Sequence, residues 1–187
     1  MDINDRIAAR VRQIRAERGL SLEALAESSG VSRSMISLVE RGQSSATAVV
    51  LEKLATGLGV PLASLFDAPA APAAPVSRRK DQVEWRDPAS GYVRRNVSPP
   101  GFPSPIQIVE VVFPAGARVA YDTGPRPGVQ YQQIWVLQGA LEVTVDKIRH
   151  ELGAGDCLAM VVDSQITFSN RTSKSARYAV VIDHRPA

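Results

Sequence analysis

The chain has 187 residues, of which 44% are hydrophobic, and it carries 22 Lys or Arg against 19 Asp or Glu. This composition excludes wholesale disorder, and the length allows one medium domain or two small ones. No apolar run approaches the roughly 18 residues of a membrane span, and the first residues lack the apolar core of a secretory signal, so we expect a cytoplasmic protein. The single cysteine, Cys157, excludes an internal disulfide and a Cys-rich zinc site, and we expect it to be a small buried residue.

Residues 1–67 predict a bundle of short helices. Apolar residues recur at helical spacing in four segments, and glycines separate these segments. Ser21, Ser32 and Thr47 stand at predicted helix starts, where a hydroxyl oxygen can accept a hydrogen bond from a backbone N–H group. A fifth short turn is predicted over residues 62–66. The apolar positions that define the pattern are Ile7, Val11, Ile14, Leu22, Leu25, Ala26, Met35, Ile36, Val39, Val50, Leu51, Leu54 and Leu58.

The stretch LSLEALAESSGVSRSMISLVERG, residues 20–42, has the spacing of a helix, a tight turn at Gly30 and a second helix that begins at Ser32. It resembles the Cro-like, or xenobiotic-response-element, helix-turn-helix family, and the resemblance extends over residues 6–66. This resemblance implies a protein that binds double-stranded operator DNA with the second of these helices in the major groove. The residues that it places on DNA are Ser21, Ser32, Arg33, Ser34, Ser37, Leu38, Arg41, Gln43 and Ser44.

These side chains offer different kinds of contact. Arg33 can donate two hydrogen bonds to a guanine, whereas Leu38 offers only an apolar contact, for example to a thymine methyl group. The capped helix starts, together with Arg41, Gln43 and Ser44, are expected at phosphates. The alternative for Arg33 is a solvated surface arginine without a role in recognition.

Two further comparisons with the family concern the scaffold of this domain. Leu22 stands where the family often has a glutamine, which puts one phosphate contact in doubt. Arg15 and Glu40 occupy positions where the family carries a structural salt bridge between the first and third helices. The resemblance therefore implies that these two residues stabilise the domain and do not read DNA.

Residues 68–82 are predicted to form a linker. The segment DAPAAPAAP, residues 67–75, has no apolar periodicity, and its prolines favour an extended chain. Such a spacer can reach on the order of 30 Å, which is enough for the flanking domains to orient separately. The segment SRRK that follows, residues 77–80, is interpreted as solvated linker, with a phosphate-contacting basic arm as the alternative.

Residues 83–187 predict an all-β domain. Nine short segments rich in Val, Ile, Tyr and Phe are separated by Gly, Pro, Asp and Ser, with no helical segment between them. Strands this numerous indicate a sandwich or a barrel. The predicted strands are residues 92–97, 106–113, 118–122, 131–137, 140–145, 148–152, 157–162, 166–169 and 176–182.

Two segments of this domain resemble the cupin family of small jelly-roll barrels. They are QQIWVLQGALEVTVD from Gln132 and LGAGDCLAMVVDSQITFSN from Leu152, in which Gly139, the Gly155–Asp156 pair and Asn170 match the motif positions. The resemblance implies an all-α helix-turn-helix bundle followed by an all-β cupin barrel that dimerises and senses a small molecule.

The metal ligands of cupins are missing from the expected positions. Gln132 stands at the glutamate position, Ile166 stands at the second-motif histidine position, and residues 122–133 contain no histidine. Because transition metals in such sites are held by imidazole and carboxylate groups, we expect no metal cofactor. The hypothesis is instead a metal-free ligand pocket.

Strand alternation and side-chain chemistry select the candidate pocket residues. Gln132 and Ile134 share one face of a strand, and Ile166 and Phe168 share one face of another. Arg126 and Tyr131 are added because they could meet a carboxylate. The alternative is that Gln132 and Tyr131 satisfy each other at the rim of a solidly packed barrel, and Trp135 is assigned to the core or a dimer surface. The full set is Arg126, Tyr131, Gln132, Ile134, Ile166 and Phe168.

The two resemblances together favour a homodimeric transcriptional regulator that is not an enzyme, with repression as the family expectation. Dimerisation would place two recognition helices about 34 Å apart on a symmetric operator. Two alternatives stay open. The chain could be a cupin enzyme tethered to DNA, or an antitoxin-like module whose barrel binds another protein.

Overall fold

The computed structural model describes residues 2–66, 74–122 and 129–185. Its helical part begins with four α-helices and ends with a 3-10 turn, as the sequence predicts. No helix in these described ranges combines the length and the apolar character needed to cross a membrane. The elements are α1 (Ile3–Glu17), α2 (Leu22–Ser29), α3 (Arg33–Glu40), α4 (Ala48–Gly57) and the 3-10 turn Leu62–Phe66.

The helix boundaries follow from capping side chains and from one glycine. The hydroxyl oxygens of Ser21, Ser32 and Thr47 accept hydrogen bonds from the third backbone N–H group that follows each of them. Gly30 ends α2 with φ of 65°, a left-handed conformation that favours glycine. The turn between α2 and α3 is therefore encoded locally, by a glycine and a serine cap.

In the residues that the structure describes, the β part has ten strands, one more than the sequence predicts. The additional strand, β1, is short and follows directly on the predicted linker, which is why its pattern was not recognised. A single 3-10 turn, Arg79–Asp81, precedes it. The strands are β1 (Glu84–Arg86), β2 (Val93–Asn96), β3 (Ile106–Phe113), β4 (Arg118–Tyr121), β5 (Val129–Gln138), β6 (Ala140–Val145), β7 (Ile148–Gly153), β8 (Cys157–Val161), β9 (Ile166–Ser169) and β10 (Ala176–Arg185).

These strands form two antiparallel sheets. The larger sheet has the order β1-β2-β3-β10-β5-β8, and the smaller sheet has the order β4-β9-β6-β7. Apolar side chains of both sheets, among them Val109, Val136, Val143 and Phe168, belong to one buried core. The predicted jelly-roll class is confirmed, as two open sheets that share a core and not as one closed barrel.

Two residues of the cupin-like motifs have structural roles in turns. Gly139 has φ of 79°, and a Cβ atom there would lie 2.9 Å from the carbonyl oxygen of Ser175. Asn170 is buried, and its amide nitrogen donates to the carbonyl oxygen of Lys174 over 2.8 Å. Its amide oxygen accepts from the backbone nitrogen of Thr172 over 3.0 Å, so Asn170 closes the turn that leads into β10.

The helical part and the sheets pack directly against each other. The ring centroids of Phe66 and Trp85 are 5.6 Å apart, and Asp87 Oδ1 accepts a hydrogen bond of 2.9 Å from the backbone nitrogen of Ala48. This corrects the expectation that the two parts orient separately. The sequence reasoning failed here because the anchoring residues lie in and beside β1, the strand that it missed.

The predicted linker is only partly described. Residues 67–73 lie outside the described residues, and the remainder of residues 68–82 contains the 3-10 turn. The domain limits 1–67, 68–82 and 83–187 therefore stay a prediction.

Asp87→Ala should destabilise the protein, because Asp87 is 2% exposed and caps the start of α4 from the neighbouring domain. Removal of a buried, charged acceptor at a helix start predicts a loss of about 1–3 kcal/mol in the free energy of unfolding. Urea denaturation followed by circular dichroism measures this loss. The control Asp163→Ala removes an exposed carboxylate and should change stability by less than about 0.5 kcal/mol. Equal stability of the two variants would contradict the capping role.

Candidate functional site

The helix α3 presents its first turn to solvent. Ser32, Arg33 and Ser34 are exposed, whereas Ile36 and Val39 on the opposite face are buried in the helical core. The hydroxyl oxygens of Ser32 and Ser34 lie 3.2 Å apart. This orientation leaves the N-terminal end of α3 accessible for a major groove, as helix-turn-helix recognition requires.

Arg33 forms an ion pair with α2 that the sequence did not reveal. Its Nε atom lies 2.7 Å from Oε1 of Glu23, and the two side chains are 66% and 65% exposed. Because both groups are highly solvated, this pair contributes little to stability. The ion pair therefore holds Arg33 near the corner between α2 and α3, but little free energy is needed to break it, so Arg33 can exchange Glu23 for another partner.

The loop after α3 is tied back to the helix. Arg41 donates from Nη1 to the Ser37 hydroxyl over 2.7 Å and from Nε to Oε1 of Gln43 over 2.8 Å. Ser44 differs, because its hydroxyl contacts the sulfur of Met35 over 3.9 Å. The structure thus groups Ser37, Arg41 and Gln43, and it directs the Ser44 side chain toward the helical domain.

The remaining predicted DNA residues lie at the edges of this surface. Ser21 is exposed at the start of α2, and its hydroxyl is engaged with the backbone nitrogen of Ala24 over 3.0 Å. Leu38 is half-buried on α3. The assignment of all nine residues to DNA stays a prediction.

A two-point ion pair joins α1 to α3. Arg15 donates from Nε to Oε1 of Glu40 over 2.6 Å and from Nη2 to Oε2 over 2.8 Å. A further hydrogen bond runs from Nη1 to the carbonyl oxygen of Leu20 over 2.8 Å, and Arg12 donates to the carbonyl oxygen of Glu40. The hydrogen bond with Glu40 raises the pKa of Arg15. The structural salt bridge implied by the family resemblance is confirmed.

A second candidate site is a cavity of about 70 Å³ on the inner face of the larger sheet. Three of the predicted ligand residues line it: Gln132, Ile166 and Phe168. Ile134 faces the same way but is fully buried in the core, and it does not line the cavity. Arg126 lies outside the described residues.

Tyr131 does not reach this cavity. Its side chain is 47% exposed on the outer face of the larger sheet, because neighbouring residues of a strand point to opposite faces. Cys157 is also exposed and pairs in register with Trp135 on that outer face, so the expectation of a buried thiol is wrong.

Sequence reasoning missed the most polar part of the cavity wall. Arg94 of β2 is 6% exposed, and its guanidinium carbon lies 5.2 Å from the ring centroid of Phe66. A signal was present, since two consecutive arginines in a strand must face opposite sides, and Arg95 pairs on the outer face with Glu110 over 2.6 Å. The other lining residues that were missed include Glu52, Leu62, Tyr92, Tyr121, Gln130 and Tyr178.

Three tyrosines give this cavity hydroxyl groups. The hydroxyls of Tyr92 and Tyr121 lie 3.0 Å apart, and the ring of Tyr178 stacks on Phe168 with centroids 6.0 Å apart. Burial raises the pKa of Tyr92, and it raises the pKa of Tyr121 and Tyr178 well above the ordinary value. All three phenols therefore stay protonated near neutral pH and can donate hydrogen bonds.

The donor chemistry of the cavity does not fit a transition metal. Its described wall offers phenols, amides, one guanidinium group and one carboxylate, with the apolar Ile166 at the position of the expected imidazole. Divalent transition metals prefer imidazole, thiolate and carboxylate ligands. Within the described residues, no cluster of three or more His, Cys, Asp or Glu side chains could hold a metal ion.

A four-helix domain with an exposed, capped α3, followed by a jelly roll with a polar cavity, defines a class of two-domain DNA-binding helix-turn-helix proteins. The helix-turn-helix family model matches residues 11–65. Residues 11–65 therefore form a helix-turn-helix domain, as predicted, and the chain is similar over nearly its whole length to transcriptional regulators.

Two relatives and one solved structure are similar to the chain over most of its length. The chain is 26% identical to the HTH-type transcriptional regulator SutR of Escherichia coli K12, over 95% of this chain and 94% of the relative. It is 28% identical to the HTH-type transcriptional regulator PuuR of the same organism, over 95% and 93%. A crystal structure of an HTH_3 family transcriptional regulator from Vibrio cholerae superposes with a TM-score of 0.78 at 24% identity, covering 99% and 98% of the two chains, which shows the shared two-domain fold.

Glu40→Ala and Arg33→Ala should separate stability from recognition. Loss of Glu40 leaves Arg15, which is 19% exposed, without its carboxylate and should lower the free energy of unfolding by about 3 kcal/mol. Loss of the exposed Arg33 should change it by less than about 0.5 kcal/mol. Thermal denaturation followed by circular dichroism checks both values. A similar loss in the two variants would contradict the division between scaffold and readers.

Proposed function

We propose that this transcriptional regulator acts as a homodimeric repressor that binds a two-fold symmetric operator and responds to a small molecule in the jelly-roll cavity. The observation that carries the proposal is the exposed first turn of α3, which presents Arg33 and Ser34 next to a loop bearing Arg41. This arrangement supports base contact at the helix start and phosphate contact at the loop. We place this activity in the cytoplasm, where the operator would lie.

The pair between Arg33 and Glu23 supports a partner exchange on DNA. An exposed ion pair costs little to break, and a guanine offers the guanidinium group two acceptors in fixed geometry. The Glu23 carboxylate would then lie close to the groove. Because like charges repel, it would disfavour docking positions of the protein that bring a DNA phosphate nearer to this carboxylate. Arg33 would thus select guanine, and Glu23 would restrict how closely the start of α3 approaches the DNA backbone.

The proposed sensing role rests on the makeup of the cavity. Its wall combines apolar side chains with a few polar groups, which is the usual composition of a small-molecule site. Glu52 and Leu62 of the helical part contribute to that wall, so an occupant contacts both domains. A ligand shifts a conformational equilibrium only when it binds two arrangements with different affinity, and a site shared by two domains provides such a difference.

The proposed dimer rests on the outer face of the larger sheet. Large apolar side chains are exposed on β3, on β5 and on β8, with β10 lying between β3 and β5. Among them are Ile106, Ile108, Tyr131, Trp135 and Val161. Several large apolar side chains exposed on one face of a sheet favour a protein interface. A second copy is the occupant that we propose, because symmetric pairing would supply the two recognition helices that an operator of two half-sites requires.

An enzymatic role receives no support from the cavity chemistry, and the relatives named above are transcriptional regulators. An antitoxin-like module stays the second candidate, because the outer apolar face could equally receive another protein.

The operator proposal predicts that purified protein selects a short symmetric sequence from genomic DNA fragments at about physiological salt. Arg33→Ala should weaken binding to that sequence by about 1–3 kcal/mol, since a bidentate base contact is lost. Sequencing of the retained fragments and fluorescence anisotropy measure selection and affinity. The control Arg118→Ala removes an exposed arginine of β4 and should bind like the wild type. If the protein retained DNA fragments without sequence preference, and Arg33→Ala did not change this, the alternative of an antitoxin-like module that binds another protein would be favoured.

The dimer proposal predicts that Trp135→Glu produces monomers, because it places a charge on the outer apolar face, where Trp135 is 50% exposed. Sedimentation equilibrium measures the oligomeric state. The matched control Ile148→Glu alters a side chain that is 65% exposed on β7 of the other sheet and should leave the dimer intact. A wild-type protein that stays monomeric would refute this interface.

A further inference from the structure

The cavity is a site that both domains complete together. The helical part contributes Glu52 from α4 and Leu62 from the 3-10 turn, and the jelly roll contributes Arg94, Tyr121 and Gln132. An occupant would therefore contact the domain that carries α3 as well as the sheets. This shared wall distinguishes the cavity from a pocket enclosed within a barrel.

Opposite charges face this small space. Arg94 is 6% exposed and Glu52 is 9% exposed, and both line the cavity of about 70 Å³. A buried guanidinium group is costly without a nearby negative charge, so its surroundings must supply one. The Glu52 carboxylate lies on the same cavity wall and can supply this charge when the domains are docked, and another small carboxylate can supply it in its place.

The neutral groups of the wall favour an anion. The positive charge of Arg94 acts on Tyr92, Tyr121 and Tyr178 and lowers the pKa of each, but burial outweighs it and keeps the hydroxyls protonated. Protonated phenols and the Gln132 amide can donate hydrogen bonds to carboxylate oxygens. Charge-assisted hydrogen bonds of this kind are among the stronger polar contacts in proteins.

We propose that this cavity binds a small monocarboxylate, whose oxygens replace the Glu52 carboxylate beside Arg94 and so loosen the docking of α4 on the jelly roll. The inference rests on the proposed sensing function and names its ligand class. A cavity of about 70 Å³ has room for roughly five to seven non-hydrogen atoms. This number of atoms matches acetate, propionate or a similarly short acid.

Displacement of Glu52 has a direct route to the DNA-binding surface. The last residue of α4, Gly57, packs so closely on α2 that a Cβ atom there would lie 2.7 Å from Cβ of Ser29. The helix α2 in turn carries Glu23, the partner of Arg33. A shift of α4 therefore reaches the corner that presents the recognition helix.

The test uses the full chain with Trp135→Phe, which leaves Trp85 of the two tryptophans as the fluorescent reporter at the domain contact. Sodium acetate and sodium propionate are titrated at constant ionic strength, with acetamide as the neutral probe of similar shape and ethylammonium chloride as the cationic probe. Calorimetry records the same titrations without dependence on the reporter. We expect saturable binding of the two carboxylates and none of acetamide or ethylammonium.

Variants of the two charged residues decide whether the carboxylate takes the place of Glu52. Glu52→Gln should tighten propionate binding by about tenfold or more, because the competing charge is gone, whereas Arg94→Gln should abolish it. If Arg94→Gln does not fold, Arg94→Lys should weaken binding by about tenfold, since the ammonium lacks the planar fork. The control Glu151→Gln, an exposed carboxylate on β7, should bind like the parent.

Three results would overturn the inference. The first is that acetamide binds as tightly as acetate. The second is that ethylammonium binds and the carboxylates do not. The third is that Glu52→Gln binds propionate with unchanged affinity. None of these measurements involves DNA, so their failure leaves the operator selection with Arg33→Ala as a separate test of the regulator itself.

Discussion

The docking of α4 and the 3-10 turn against the jelly roll is the constraint on which the rest of this structure depends. The aromatic rings of Phe66, Trp85, Tyr92 and Phe113 follow one another at centroid distances of 5.6, 5.9 and 5.9 Å, from the helical domain into the sheets. Asp87 fixes the start of α4 from the same side. Because this contact also brings Glu52 and Leu62 to the cavity, the cavity is complete only in the docked arrangement.

The helical domain contains one shielded ion pair and one exposed ion pair. The pair of Arg15 and Glu40 is largely shielded from water and anchors α3 to α1, so the position of α3 is fixed by groups outside its exposed first turn. Arg33 and Glu23, in contrast, are solvated and weakly paired. In the proposed regulator, Arg33 can therefore leave Glu23 and contact a base at little cost in folding free energy.

The larger sheet serves two purposes through the alternation of its strands. On β5, Gln132 points to the cavity while Tyr131 and Trp135 point to the outer apolar face. Arg94 and Arg95 divide in the same way on β2. In the proposed regulator, the ligand site and the dimer surface are therefore opposite faces of one sheet. Because the packed sheet is stiff, a shift of a strand caused by a ligand on one face also moves the side chains on the other face.

The sequence by itself determined the helices, the turn at Gly30, the helix-turn-helix spacing and nine of the ten strands in the described residues. It also determined that Gln132 and Tyr131 point to opposite faces, because these features depend on periodicity and on residues close together in the chain. The tertiary structure alone decided that Cys157 faces outward, that Arg33 pairs with Glu23, and that the domains are docked. It also placed Glu52 and Arg94, which are distant in sequence, on one cavity wall. Local patterns carry no information on such long-range contacts, since they arise only when separate elements pack into one core.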